Sequence, residues 1–391
     1  MLSTVAVHGY RSLRDVVLPL RQLTVITGPN GSGKSSLYRA LRLLADCGRG
    51  EAIGSLAREG GLQSALWAGP ESLAGARRTG RTEGTTRTGP VALQMGYAAD
   101  DFGYLVDLGL PQMAGIRSEF TRDPEIKREA VFAGPVLRPS STLVQRAGSL
   151  AQVRAESGRG FDELTRALPT HRSVLAEFAH AGELPELAAV RDRLREWRFY
   201  DGFRVDAAAA ARHPQVGTRT PVLADDGSDL AAAIQTIIEA GAGAEDLHRA
   251  VADAFDGATV SVTVNDGLFD VQLRQAGMLR SLRTAELSDG TLRFLLWAAA
   301  LLSPRPPSLM VLNEPETSLH PDLVAPLAVL IRATAAVTQL VVVTHSRILL
   351  DALNLTDEDE TARVEIYKDH GETKIVGQNL LTTPAWDWGS R

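Results

Sequence analysis

The chain has 391 residues, 44% hydrophobic and 23% charged, a balance that excludes wholesale disorder and implies a buried core. Its formal charge of −6 excludes a polybasic protein of the histone or ribosomal kind, while leaving room for a local basic face. At about 100–200 residues per domain, the length accommodates two or three domains, or one large domain with an insertion.

In chain order, Val5–His8 and Leu23–Thr27 are short β-rich runs, and the second passes straight into Gly28. From Ser35 to Ala45 the pattern is helical, with Gly48 and Gly50 expected to stop the helix. Residues 71–90 are rich in Gly, Thr and Arg (Arg77, Arg78, Arg81, Arg87) and predict an exposed loop. Val91–Tyr97 and Tyr104–Leu110 predict strands that pair across the acidic turn Asp100–Asp101, with a boundary at Pro135 and Pro139. Leu143–Arg198 reads as helical and charged, without a sustained heptad. A loop over Arg212–Gly227 precedes two helical stretches, Asp229–Ala240 and Ala244–Phe255. Thr259–Val264 and Phe269–Leu273 alternate as antiparallel strands, and Ser288–Leu302 is helical. Leu309–Leu312 and Leu340–Val343 are continuous apolar runs of the buried-strand kind. Val364–Tyr367 and Thr373–Val376 predict a terminal hairpin around His370–Gly371.

The single cysteine, Cys47, excludes an intramolecular disulfide and a cysteine-built zinc site. The longest apolar run, Phe294–Leu302, is far shorter than the about 20 residues a spanning helix needs. The N-terminus has no signal-peptide layout. No membrane partner is expected, and the expected setting is a reducing aqueous compartment, most simply the cytoplasm.

The most specific text is Gly28-Pro-Asn-Gly-Ser-Gly-Lys34-Ser35, which fits the phosphate-loop pattern G-x-x-x-x-G-K-[ST] between a strand and a helix. Its glycines let successive backbone N–H groups turn toward one anion, and the helix start adds positive dipole. Lys34 carries a mobile charge for β and γ phosphates, and the Ser35 hydroxyl is placed to ligate Mg²⁺.

A second apolar run ends in Asn313-Glu314-Pro315-Glu316. A buried parallel strand delivers its last side chains to the ligand edge of a sheet, where Glu314 can orient or deprotonate a water. Leu340-Val-Val-Val-Thr344-His345 ends one strand–helix–strand unit later in a histidine able to bond a γ-phosphate or the attacking water. Ser288-Asp289-Gly290 opens a helix; Ser288 reads as an N-cap, and such a start is also an anion site.

These pieces, in this order, resemble the ABC-type ATPase heads of the SMC/RecF class. More narrowly they resemble AAA_21-like AAA-family ATPases related to RecF and to the ATPase half of OLD nucleases. The matching text is Tyr10-Arg-Ser-Leu-Arg-Asp15, GPNGSGKSS, LSDGTLRF, LNEPETSLHPD and VVVTHS, with weaker likeness at Leu194–Tyr200 and Leu223–Leu230. The resemblance implies an α/β P-loop NTPase: an ABC-type head of mixed sheet plus antiparallel β subdomain, with an inserted helical lid. The expected boundaries are 1–139 for the N-terminal half of the head, 140–258 for the helical insertion and 259–391 for the C-terminal half.

It also implies roles. Asn30, Gly31, Ser32, Gly33, Lys34, Ser35 and Ser36 would hold ATP as the Walker A loop, with Arg11 as a further nucleotide contact. Ser288, Asp289 and Gly290 would be the signature that completes a partner subunit's site. Glu314 would be the catalytic base, aided by His345 and Lys34, with Ser35 and Asn313 on Mg²⁺. Thr317–His320 would be the D-loop. Two heads would sandwich two ATP molecules as a homodimer.

The chain departs from the pattern in four places. Asn313 stands where Asp is usual, which predicts weaker Mg²⁺ dependence. His320 replaces the D-loop aspartate, and Asp289 stands where Gly is common. The Q-loop is not distinct: Gln63 and Gln112 are weak candidates, each read more readily as a plain surface glutamine.

Two functions follow. One is an ATP-switched clamp on DNA in repair or phage defence, with the Arg77–Arg87 loop as a candidate phosphate contact. The other is a regulatory scaffold that holds and releases a separate effector such as a nuclease. The short stretch after His345 leads to the expectation of no appended nuclease domain, which favours a separate effector. A transporter motor is excluded by the long separation of Lys34 from Ser288.

Overall fold

The computed structural model describes residues 1–70, 92–111, 120, 123–179, 184–241, 243–355 and 361–389. The chain packs as two compact units. The first comprises Met1–Arg21, Thr27–Trp197 and Val364–Arg391, and the second Gln22–Ile26 and Arg198–Arg363.

The first unit is built on an eight-stranded antiparallel sheet. Its strands are β1 (Leu2–Tyr10), β2 (Leu13–Pro19), β4 (Leu93–Ala99), β5 (Phe102–Gly109), β6 (Glu125–Ala133), β7 (Thr142–Ala147), β8 (Leu150–Arg154) and β9 (Phe161–Thr165); β3 (Leu23–Thr27) lies between β2 and β4 in sequence. The spatial order is β2-β1-β4-β5-β6-β7-β8-β9. β4 and β5 form the expected hairpin, with Tyr97 opposite Tyr104. The helix Lys34–Arg49 packs against the helix Pro185–Glu196. It runs through Gly48 and ends at Gly50, whose left-handed backbone (φ +77°) caps it. Gly48 serves close approach instead of termination, because a Cβ there would lie 2.5 Å from Leu194 Cβ.

The second unit has a parallel layer in the order β10 (Arg198–Asp201), β15 (Leu309–Asn313), β16 (Gln339–Val343) and β3. The register places Asp201 beside Asn313, Asn313 beside Val343 and Val343 beside Ile26. The four residues form one row at the carboxyl edge. Leu309–Leu312 of β15 and Leu340–Val343 of β16 are apolar and buried throughout because a parallel sheet is covered on both faces. The helix Asp289–Leu301 contributes buried Trp297, which meets Tyr200 and Phe203 edge-on. β12 (Thr259–Asn265) and β13 (Leu268–Arg274) pair as predicted, joined by short β11 (Gln215–Val216) and β14 (Leu282–Arg283). β17 (Thr361–Asp369), which belongs to the first unit from Val364 on, and β18 (Glu372–Ile375) pair as the expected terminal hairpin, with Ile366 opposite Ile375.

The expected helical lid over 140–258 requires a correction. β7, β8 and β9 occupy residues 142–165 and extend the antiparallel sheet. Among the described residues, the α-helices of that window are Val174–Phe178 and Pro185–Glu196 in the first unit, and Leu230–Ala240 and Ala244–Ala254 in the second. The strands are fixed by a buried ion pair between Glu129 on β6 and Arg146 on β7 (3.0 Å, both side chains fully buried). Glu129 also accepts bonds from Tyr104 Oη (2.7 Å) and Val174 N (2.9 Å), and Arg146 donates to Gly148 O (2.7 Å) and Pro169 O (2.9 Å). Burial and the nearby Glu129 charge drive the Tyr104 pKa upward. Among the described residues, no helix is long and apolar enough to cross a membrane.

Candidate nucleotide-binding site

The glycine loop belongs to the first unit. β3 ends at the carboxyl edge, and the chain passes directly into Gly28. Gly31 (φ +78°) and Gly33 (φ +113°) hold backbone conformations that a side chain would strain. A Cβ on Gly33 would also meet Thr373 Oγ1 at 2.1 Å. Thr373, on β18, donates to Ser32 O (2.7 Å) and meets Ser12 Oγ at 2.9 Å, so the terminal hairpin ties the loop to the turn after β1. Lys34 Nζ reaches back over the loop to Gly28 O (2.7 Å) and Pro29 O (3.1 Å). Asn30, Gly31 and Ser35 are exposed, and Ser36 is half-buried. Ser32 Oγ and Thr27 Oγ1 are buried without a hydrogen-bond partner. A cradle of N–H groups, a lysine and an unsatisfied hydroxyl fits a polyphosphate.

Arg11 is engaged elsewhere. Its Nη2 donates to Glu59 Oε2 (2.7 Å), beside the Tyr10 hydroxyl, which donates to the same carboxylate (2.7 Å). Burial, then the Glu59 carboxylate, push the Tyr10 pKa upward.

The carboxyl edge of the parallel layer collects the second set. Glu314 follows Asn313 in a left-handed backbone (φ +48°), held by its N–H on Val343 O (2.7 Å). This turn carries its carboxylate to His345, with Nδ1 and Oε1 3.1 Å apart. Thr317 Oγ1 lies 3.5 Å from the other oxygen. With a proton on Nδ1, the imidazole donates to this carboxylate and orients it. Thr344 Oγ1 donates to Glu316. Asn313 Nδ2 donates to Asp201 Oδ1 (2.8 Å) across the in-register strand pair.

The signature text begins a helix as expected. Ser288 caps it, accepting from Thr291 N (3.2 Å). Arg212, buried, pins this start: Nη1 donates to Leu287 O (2.7 Å), Nε to Val205 O (2.6 Å), and Nη2 bonds Asp289. A Cβ on Gly290 would meet nothing within 4 Å, so this glycine leaves the helix start bare instead of fitting a neighbour within the chain. His320 caps the helix Pro321–Ala335, with Asp322 N 3.4 Å from Nδ1. Gln63 is exposed on a short helix. Gln112 and the Arg77–Arg87 stretch lie outside the described residues.

A family model described as "AAA domain, putative AbiEii toxin, Type IV TA system" (AAA_21) matches residues 23–351. The chain belongs to this family. A stretch of 44 residues is 48% identical to an OLD nuclease of Thermus scotoductus, covering 11% of this chain and 8% of that protein. The match therefore takes in less than a tenth of the relative's length. The SMC head domain from Thermotoga maritima superposes at a TM-score of 0.48 and 15% identity, covering 97% of this chain and 99% of that one. An SMC head bound to the C-terminal winged-helix domain of ScpA gives 0.49 and 13%, covering 97% and 98%. The AAA_21 assignment stands on the family match. The AAA_21 chain has the mixed α/β build expected of an ABC-type head, with a parallel layer and a large antiparallel sheet.

Three residues of this AAA_21 chain escaped sequence reasoning: Thr373, Asp201 and Arg212. Each acts on a motif through a bond between residues remote in sequence. For Asp201 a signal existed, since it closes the Trp197–Asp201 run that leads into a strand end.

Proposed function

We propose that the chain binds and hydrolyses ATP, using Asn30–Ser36 for the triphosphate and Glu314 as the general base. The observation that carries this is the Glu314–His345 pair at 3.1 Å, held at strand ends in one row with the strand that feeds the glycine loop. The two residues divide the work: Glu314 takes the proton of an attacking water, and His345 keeps that carboxylate aimed. Lys34 exchanges its two carbonyl partners for phosphate oxygens and offsets the charge gathering on the γ-phosphoryl group. The oxygen donors Ser35 and Asn313 suit Mg²⁺, which, when bound, neutralises the β and γ phosphates.

The signature helix supports an ATP-glued homodimer. Ser288 and Asp289 are exposed, the helix start is bare at Gly290, and no bond within the chain requires that glycine. Glu314→Gln tests this reading. It keeps ATP binding and abolishes the base, so ATP with Mg²⁺ shifts the variant from monomer to dimer in size-exclusion light scattering, while turnover falls at least 100-fold. A variant that hydrolyses ATP at the wild-type rate overturns it.

The dimer serves as a switch or clamp in DNA repair or phage defence. A scaffold that holds a separate effector is the second reading, and the formal charge of −6 favours it. ATP-dependent DNA binding that weakens steeply with salt supports the clamp, and no binding at low salt supports the scaffold.

A further inference from the structure

Asn313 leaves the strand-end position without the carboxylate expected there, yet a carboxylate stands beside it. Asp201 closes β10 in parallel register with Asn313, and the two side chains are bonded at 2.8 Å. Adjacent parallel strands lie about 4.8 Å apart, so side chains from paired strand ends converge on one small volume. Three carboxylates lie at or just beyond the row: Asp201, Glu314 and Glu316. Glu314 is committed to His345 and Glu316 to Thr344. Asp201 is bonded to the amide itself, and it is exposed. Turning the Asn313 amide about its terminal torsion brings Oδ1 beside the Asp201 carboxylate, so that an amide oxygen and an acid oxygen face one hard cation.

Resting on the ATP reading above, we infer that Asp201 supplies the negative charge for the nucleotide's Mg²⁺ that Asn313 lacks, the two strand ends sharing the task that one aspartate would perform. The weak Mg²⁺ dependence expected from Asn313 alone is then replaced by an ordinary one. Among the described residues no group of three or more His, Cys, Asp or Glu side chains forms a metal site. A cation held by one carboxylate, one amide oxygen and phosphate oxygens accords with how Mg²⁺ is bound beside nucleotides.

The test is a Mn²⁺ titration followed by the paramagnetic resonance of the unbound ion, on the full chain with a non-hydrolysable ATP analogue. Asp201→Asn keeps an amide able to bond Asn313, so the strand ends stay tied. It weakens Mn²⁺ at least tenfold, while analogue affinity in EDTA is unchanged. The swapped pair Asp201→Asn with Asn313→Asp restores Mn²⁺ affinity to within about threefold of wild type. Mn²⁺ affinity of Asp201→Asn within twofold of wild type, or a swapped pair as weak as the single variant, overturns the inference and leaves Asp201 as a tie between strands. A wild-type chain that fails to bind the analogue with Mn²⁺ present as well as in EDTA overturns the ATP reading, and this inference with it.

Discussion

Thr373 shows how much rests on one hydroxyl. It is 341 positions from Ser32, whose carbonyl it bonds, and it sits where a Cβ on Gly33 would have to go. Gly33→Ala therefore meets two obstacles, a positive φ and a collision, and strain alone costs about 1–3 kcal/mol. Thr373→Val removes one hydroxyl and leaves Ser32 O short of a partner, costing about 1 kcal/mol. Urea unfolding orders them Gly33→Ala below Thr373→Val below wild type, and fluorescent-ATP titration loses affinity in the same order. At this scale the glycine loop, Glu314 and His345 were legible, because each chemistry is written in adjacent residues. Thr373 and Asp201 were not. The Trp197–Asp201 run marks a strand end, but neither residue's task is written in its surroundings; each role comes from a neighbour that only the folded chain supplies.

Among the elements, the strands with apolar runs and the capped helices declared themselves. β6, β7, β8 and β9 did not. In β7 the inward positions are Thr142, Val144 and Arg146, so the alternation is broken by a cation whose counter-charge, Glu129, sits on another strand. β9 is half-exposed and offers little apolar pattern at all. Periodicity reports burial only when buried residues are apolar, and here the pair is what is buried. The signature helix gives a prediction at this scale. Its start is fixed less by its own cap than by Arg212, which bonds the carbonyls of Val205, Thr284 and Leu287. Arg212→Ala orphans these buried acceptors and costs about 2–4 kcal/mol in chemical denaturation. Asp289→Ala costs much less, since that carboxylate is mostly exposed.

For the whole molecule, acid stability offers a measurable handle. The hydrogen bonds from the Arg193 guanidinium hold the Asp101 carboxyl down at about 2, tying the β4–β5 turn to the helix Pro185–Glu196. A group depressed in the folded state stabilises above its unfolded pKa of about 4, and that contribution fades as pH falls from about 4 toward 2. Arg193→Gln flattens the stability profile in that window and leaves its shape from pH 6 to 8 alone. Because the Asp101 side chain is about half exposed (48%), the difference stays under about 1 kcal/mol. A profile unchanged between pH 4 and 2 removes this pair from the account.

The fastening of the glycine loop by Thr373 also has a temporal side. A ribosome making 5–20 residues per second finishes the loop early and reaches β18 on the order of tens of seconds later. Through that interval the nascent chain carries a complete phosphate-binding text without its clasp. ATP capture should therefore emerge late in synthesis, with stalled nascent chains that end before residue 372 retaining little labelled nucleotide and those that include β18 retaining it.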